Sequence, residues 1–268
     1  MSTPAPSPPR LDSLLPAALL VAGSVAFIGA GGRHPRIGAA LGPVGSDAFF
    51  LAFAQEIVHI PSWEAMHALI LAGPVLWALG AAGAARLLPA GAAALGEIGR
   101  AALLLGAAAW GVAFVLDGFV APVLARNIVS VTNPAELPGA LAPFRTSQLT
   151  MARLGTVSVV LIGAAATAFG LALLTAARAA SWRGVVGASG VLVGLWPMIA
   201  AARGEFVPGP FTSPYWTLTA LATGIWFAAL ATALPFRRTI GEFRAPDRGR
   251  IASTDATGER REVGSDAP

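Results

Sequence analysis

Apolar residues in this chain come in long unbroken runs rather than at the alternating spacing of a half-buried strand. Runs at residues 12–30, 62–88, 98–125, 146–177, 181–202 and 213–234 reach the roughly 20 mostly apolar residues needed to cross a hydrocarbon core of about 30 Å. A further apolar stretch, residues 47–60, is about two-thirds of that length and is stopped by Pro61. It is predicted to lie in the interface or to re-enter against the bundle without crossing it. The expected fold class is therefore an all-α polytopic transmembrane helix bundle of six spans plus one short outer interfacial or re-entrant helix.

Punctuation along the chain agrees with these runs. Asp12 or Ser13 can cap the first, Ser62 the second with Glu64 in its first turn, and Ser213 the last with Pro214 at the first helical position. Loops are expected at 31–46, where Gly31-Gly32-Arg33-His34-Pro35-Arg36 reads as a turn, at 126–144, and at 203–212. Segments 1–11 and 236–268 are polar and expected to be disordered, which leaves 12–235 as the membrane domain. Ile28-Gly29-Ala30 loosely resembles a signal-peptide cleavage site, but the further spans favour a retained anchor. Gly190-x-x-x-Gly194 suits close helix packing, although it carries little weight in a chain with 31 glycines.

Charge adds orientation. Lysine is absent, so all 18 cations are arginines. Arg10, Arg86, Arg100, Arg178, Arg183 and the seven between Arg237 and Arg261 fall on one side of a six-span chain. Arg33, Arg36, Arg126, Arg145, Arg153 and Arg203 fall on the other. The positive-inside rule places the first set, and with it both termini, in the cytoplasm. The Ala-, Gly-, Pro- and Arg-rich composition suits a GC-rich bacterial genome, so the inner membrane is the expected location. A pI near 11 thus reflects topology signals rather than nucleic-acid binding. The lipid bilayer is the expected partner.

Composition also excludes chemistry. Without cysteine there is no disulfide, thiolate metal site or cysteine nucleophile, and without lysine no Schiff base. Nucleotide-loop, serine-hydrolase and zinc-protease motifs are absent as well. The lack of a complete catalytic set favours a non-enzymatic accessory or interaction role, with a small permease or proton-coupled transporter as the alternative.

Ionisable residues inside the runs are the remaining candidates, because charge within a bilayer is costly. At 1.5 Å per residue, His67, Asp117 and Arg153 lie roughly 7, 12 and 9 Å in from their outer helix ends. Three helices thus contribute to one layer. Glu64 sits one turn above His67, and Thr146, Thr150 and Arg153 follow helical spacing. An Asp117–Arg153 ion pair completed by His67 and the threonines is expected, with Arg203 near the same face. This outward polar pocket (Glu64, His67, Asp117, Thr150, Arg153, Arg203) would take a proton, an anion or a small polar ligand.

A second pattern is the pair of E-x-x-H units Glu56/His59 and Glu64/His67. Each puts a carboxylate and an imidazole on one helix face, as divalent-metal sites do, although di-iron bundles place their two units on separate helices. Haem would want two axial ligands from facing spans, and His34 falls in a Pro-Gly loop, leaving His67 with His59 or a methionine. No cofactor is expected from the sequence, with haem or a divalent metal using His59 and His67 as the third alternative. Of the tryptophans, Trp63, Trp182 and Trp216, with Tyr215, are expected in an interfacial belt, and Trp77, Trp110 and Trp226 in packing.

Overall fold

The computed structural model describes residues 11–34, 43, 45–177, 181–204 and 214–234. The expectations for the two terminal segments, for most of the 31–46 loop and for residues 205–212 lie outside these residues. Everything with regular structure among the described residues is helical. The helices are α1 (Leu11–Gly31), α2 (Asp47–His59), α3 (Trp63–Arg86), α4 (Ala93–Val115), α5 (Ala121–Val129), α6 (Leu137–Ala176), α7 (Trp182–Ala202) and α8 (Pro214–Ala233). A single π-helical turn, Leu116–Val120, joins α4 to α5 without a break. Among the described residues, six helical stretches are long and apolar enough to cross a membrane: α1, α3, the continuous Ala90–Val129 run, α6, α7 and α8. This is the architecture of a multi-pass membrane protein.

The six spans close into a ring, each packed on its neighbours in the order α1, α3, α4, α6, α7, α8 and back to α1. Small residues set how closely these helices approach, since lipid offers no hydrophobic drive for helix association. A Cβ on Gly73 of α3 would lie 2.6 Å from Phe27 Cβ of α1. Gly163 of α6 and Gly194 of α7 meet backbone to backbone, so a Cβ on Gly163 would lie 2.6 Å from the Gly194 carbonyl oxygen. Interhelical hydrogen bonds add specificity. Trp77 Nε1 donates to Ser24 Oγ at 3.1 Å, Ser158 Oγ to the Gly106 carbonyl at 2.7 Å, and Trp226 Nε1 to the Val186 carbonyl at 2.9 Å.

The structure corrects several local expectations. α5 runs to Val129 and α6 begins at Leu137, so the 126–144 loop is much shorter than expected. The helix persists because α2 covers it: Phe50 and Phe53 meet Phe144 edge-on at 6.3 and 5.7 Å between ring centroids. At 40 residues α6 is about 60 Å long, well beyond a bilayer core. Its first turns pack with α5 and α2 at the end of the bundle where α1 ends and α3 begins. Ser46 caps α2 by accepting from Phe49 N at 3.1 Å, and Asp47 pairs with Arg145 of α6 at 3.5 Å. Ser62, expected as a cap, makes no side-chain capping bond.

The α6–α7 seam is testable. Gly194→Leu places a branched side chain where Gly163 and Thr167 of α6 already sit. It is expected to cost about 1–3 kcal/mol and to lower the melting temperature in detergent. Gly91→Ala, in open space before α4, should leave it unchanged. Equal melting of both variants would contradict this packing.

Candidate functional site

His67 sits one turn into α3 and is fully buried. Its Nδ1 lies 2.7 Å from the carbonyl oxygen of Trp63, an ordinary i to i−4 reach for a helical side chain. A carbonyl only accepts, so Nδ1 carries the proton and donates it. The imidazole stacks on the Trp63 indole at 4.4 Å between centroids, with Phe114 of α4 at 5.6 Å. Nε2 is thereby aimed away from α3, at Asp117 Oδ2, 3.0 Å distant.

Asp117 lies in the π turn, and three features hold it there. The wider turn rotates the chain beyond Val115 relative to an uninterrupted α-helix, as π-bulges do at many functional sites. Trp63 Nε1 crosses from α3 to donate to the Asp117 carbonyl at 2.8 Å, fixing the backbone at that point. Gly118 lets α3 come close, because a Cβ there would fall 2.5 Å from His67 Cβ. Pro122 follows at the start of α5, where its missing N–H falls just after the irregular turn. Asp117 is 3% exposed, and its second carboxylate oxygen, Oδ1, is buried with no hydrogen-bond partner.

His34 completes the group from beyond the end of α1. Its Nε2 lies 3.3 Å from His67 Nε2, and its ring meets Trp63 and His67 at 5.4 and 5.0 Å between centroids. One ligand atom each from His34, His67 and Asp117 lies within 4.8 Å of the others. It is the one such histidine–carboxylate group found among the described residues.

A cavity of about 250 Å³ opens beside this group, inside the helix ring. His34, Asp117 and Thr217 give it a polar end, while Phe27, Ile70, Trp110, Phe114, Met151 and Leu221 form much of its wall. Trp110 Nε1 is buried there without a partner and can donate to an occupant. Gly155 admits Trp216 against α6, since a Cβ would lie 2.9 Å from the indole.

The sequence-derived layer is partly assembled. His67 and Asp117 meet, but the expected Asp117–Arg153 pair does not form: Arg153 is exposed and the carboxylate turns to His67. The π turn sets where that carboxylate points, and no such turn is legible in a run of apolar residues. Glu64 is exposed and 4.0 Å from Arg126. Thr150 is exposed along a separate groove with Thr146, and Arg203 is exposed at the end of α7. Glu56 and His59 are exposed on α2, His59 Nδ1 donating to the Gln55 carbonyl at 2.6 Å, so the two E-x-x-H units do not converge. Trp63 and Trp216, at the starts of α3 and α8, are buried at the site, while Trp182 is 55% exposed.

Comparison with protein-family models finds no match, and comparisons with curated proteins and with solved structures find no significant similarity.

The His67–Asp117 contact yields a double-mutant test. His67→Ala leaves a buried carboxylate without its partner and is expected to destabilise the folded protein by about 3–5 kcal/mol. Combining it with Asp117→Leu should recover part of that loss, because an apolar pair removes the uncompensated charge. Strictly additive losses in detergent unfolding would show that the two side chains are not coupled.

Proposed function

We propose that this protein is a multi-pass membrane protein that binds a small, chiefly apolar molecule bearing one polar group, in the cavity within its helix ring. The observation that carries the reading is the cavity's asymmetry. Aromatic and aliphatic walls end in a histidine–carboxylate group with a buried, unpartnered carboxylate oxygen, and the unpartnered Trp110 donor lies in the wall. Ligand sites have this character: mostly apolar, with a few placed polar atoms that set orientation. An apolar cavity of about 150 Å³ is known to hold benzene, so 250 Å³ suits roughly ten non-hydrogen atoms.

The arginine asymmetry supports cytoplasmic termini, which would put the polar end of the cavity toward the outer side of a bacterial inner membrane. A carrier or small permease would use such a site to hold its cargo between the two aqueous phases. An accessory protein would use it to sense a membrane-soluble compound. Both depend on binding.

The test uses 4-bromophenol, an aromatic ring with one hydroxyl, as the probe. Bromine quenches indole fluorescence on contact, and Trp110 and Trp216 line the cavity. Protein in lipid vesicles is expected to show saturable quenching, with half-saturation in roughly the micromolar to millimolar range for so small a ligand. Ala220→Phe, which fills the cavity from α8, should weaken the response at least about tenfold. Quenching that rises linearly and equally in both proteins would reflect partition into lipid and overturn the reading.

A further inference from the structure

The bond from His67 to the Trp63 carbonyl has a chemical consequence. With the proton on Nδ1, Nε2 of a neutral ring carries a lone pair. That lone pair points at Asp117 Oδ2, 3.0 Å away, and at His34 Nε2, 3.3 Å away. A lone pair facing a buried carboxylate oxygen at this distance is repulsive unless a cation lies between them. Only two kinds of cation fit so small a gap: a proton, or a metal ion bound by all three residues.

We infer that His34 Nε2, His67 Nε2 and Asp117 Oδ2 form a binding site for a divalent transition-metal ion of the zinc, iron(II) or cobalt(II) class. The spacing favours it. Nitrogen and oxygen ligands at about 2.0–2.1 Å from a tetrahedral ion lie about 3.3 Å apart, and somewhat closer around an octahedral one. The observed 3.3 and 3.0 Å separations fall on those edges.

The surroundings favour it too. Metal-bound histidines characteristically donate their other ring N–H to a carbonyl or carboxylate, which fixes the ring and raises its basicity, and His67 does so at 2.7 Å. The buried Asp117 Oδ1 has no protein donor, so a single hydrogen bond to its other oxygen leaves half of the carboxylate uncompensated. A divalent ion on Oδ2 offsets the charge of the group, which a neutral imidazole does not. Two imidazoles with one carboxylate select against calcium and magnesium, which prefer oxygen ligands.

Three protein ligands leave at least one coordination position open. His34 and Asp117 both line the cavity, so that position faces it. The metal deepens the proposed ligand site by making its polar end a Lewis acid, able to take the oxygen or nitrogen of the bound molecule directly. Neither E-x-x-H unit supplies this site. His67 is shared, but its partners come from the end of α1 and from the π turn, which suits the usual assembly of metal sites from separate elements.

Full-length protein without a polyhistidine tag, stripped with chelator in detergent, is titrated with cobalt(II). One equivalent per chain is expected to produce the visible d–d bands of a low-symmetry nitrogen–oxygen site, and zinc(II) should displace it. His34→Ala, outside the regular helices and so the variant least tied to folding, should weaken cobalt binding at least about a hundredfold while circular dichroism and gel filtration remain those of the parent. His59→Ala, at the one histidine outside the group, should bind as the parent does. Absence of bands in the stripped parent, or equal bands in His34→Ala, would overturn the inference and leave the proton as the shared cation. The bromophenol assay separates the two proposals: saturable quenching in metal-free protein that never binds cobalt sinks the metal alone. Stoichiometric cobalt with only linear quenching sinks the small-molecule reading alone.

Discussion

A buried imidazole facing a buried carboxylate at 3.0 Å is the contact on which this end of the bundle depends. Neither group can be left alone in a low-dielectric interior, so α3 and α4 are held at one depth and one rotation. The devices around it serve that contact. Trp63 both supplies the carbonyl that fixes the His67 tautomer and, through its indole, ties down the Asp117 backbone. Gly118 removes the side chain that would hold the helices apart, and the π turn lets α4 continue into α5 while turning the carboxylate inward. Tight small-residue seams at α1–α3 and α6–α7 then close the ring around a cavity instead of filling it.

The spans were legible in the sequence because the bilayer imposes a length and a composition that few other environments do. The short helix before Pro61 was legible for the same reason, being apolar yet too short. The start of α6 was not. Residues 137–144 read as the end of a loop because of Pro138, Gly139 and Pro143, yet Pro138 falls in the first turn of α6 and Phe144 packs on Phe50 and Phe53 of α2. Tertiary burial of that kind overrides local composition.

For the site, depth along a helix could be counted, so His67 and Asp117 were placed in one layer. Direction around a helix could not, because a π turn shifts the register and leaves no mark in an apolar run. Depth alone pairs Arg153 with Asp117, whereas Arg153 is exposed. His34 is hidden in the sequence because Gly31, Gly32 and Pro35 make its segment look like a plain turn. The signal that could have found it is economy: a bundle with three histidines and one deep aspartate has few ways to satisfy that aspartate.

With His67 and Asp117 alone the site would be a structural pair. In the reading proposed, His34 and the adjacent cavity make it a place where a cation and a small molecule would meet. The central claim is the protonation of one ring nitrogen, and nitrogen NMR of 15N-histidine-labelled protein reads it directly. With three histidines in the chain, single substitutions at His34 and His59 assign the His67 resonances. A proton on His67 Nδ1, hydrogen-bonded to the Trp63 carbonyl, with Nε2 bound to a cation, is the predicted state. A neutral His67 with its proton on Nε2 and a bare Nδ1 would contradict the account, since the Trp63 carbonyl could then not be its partner.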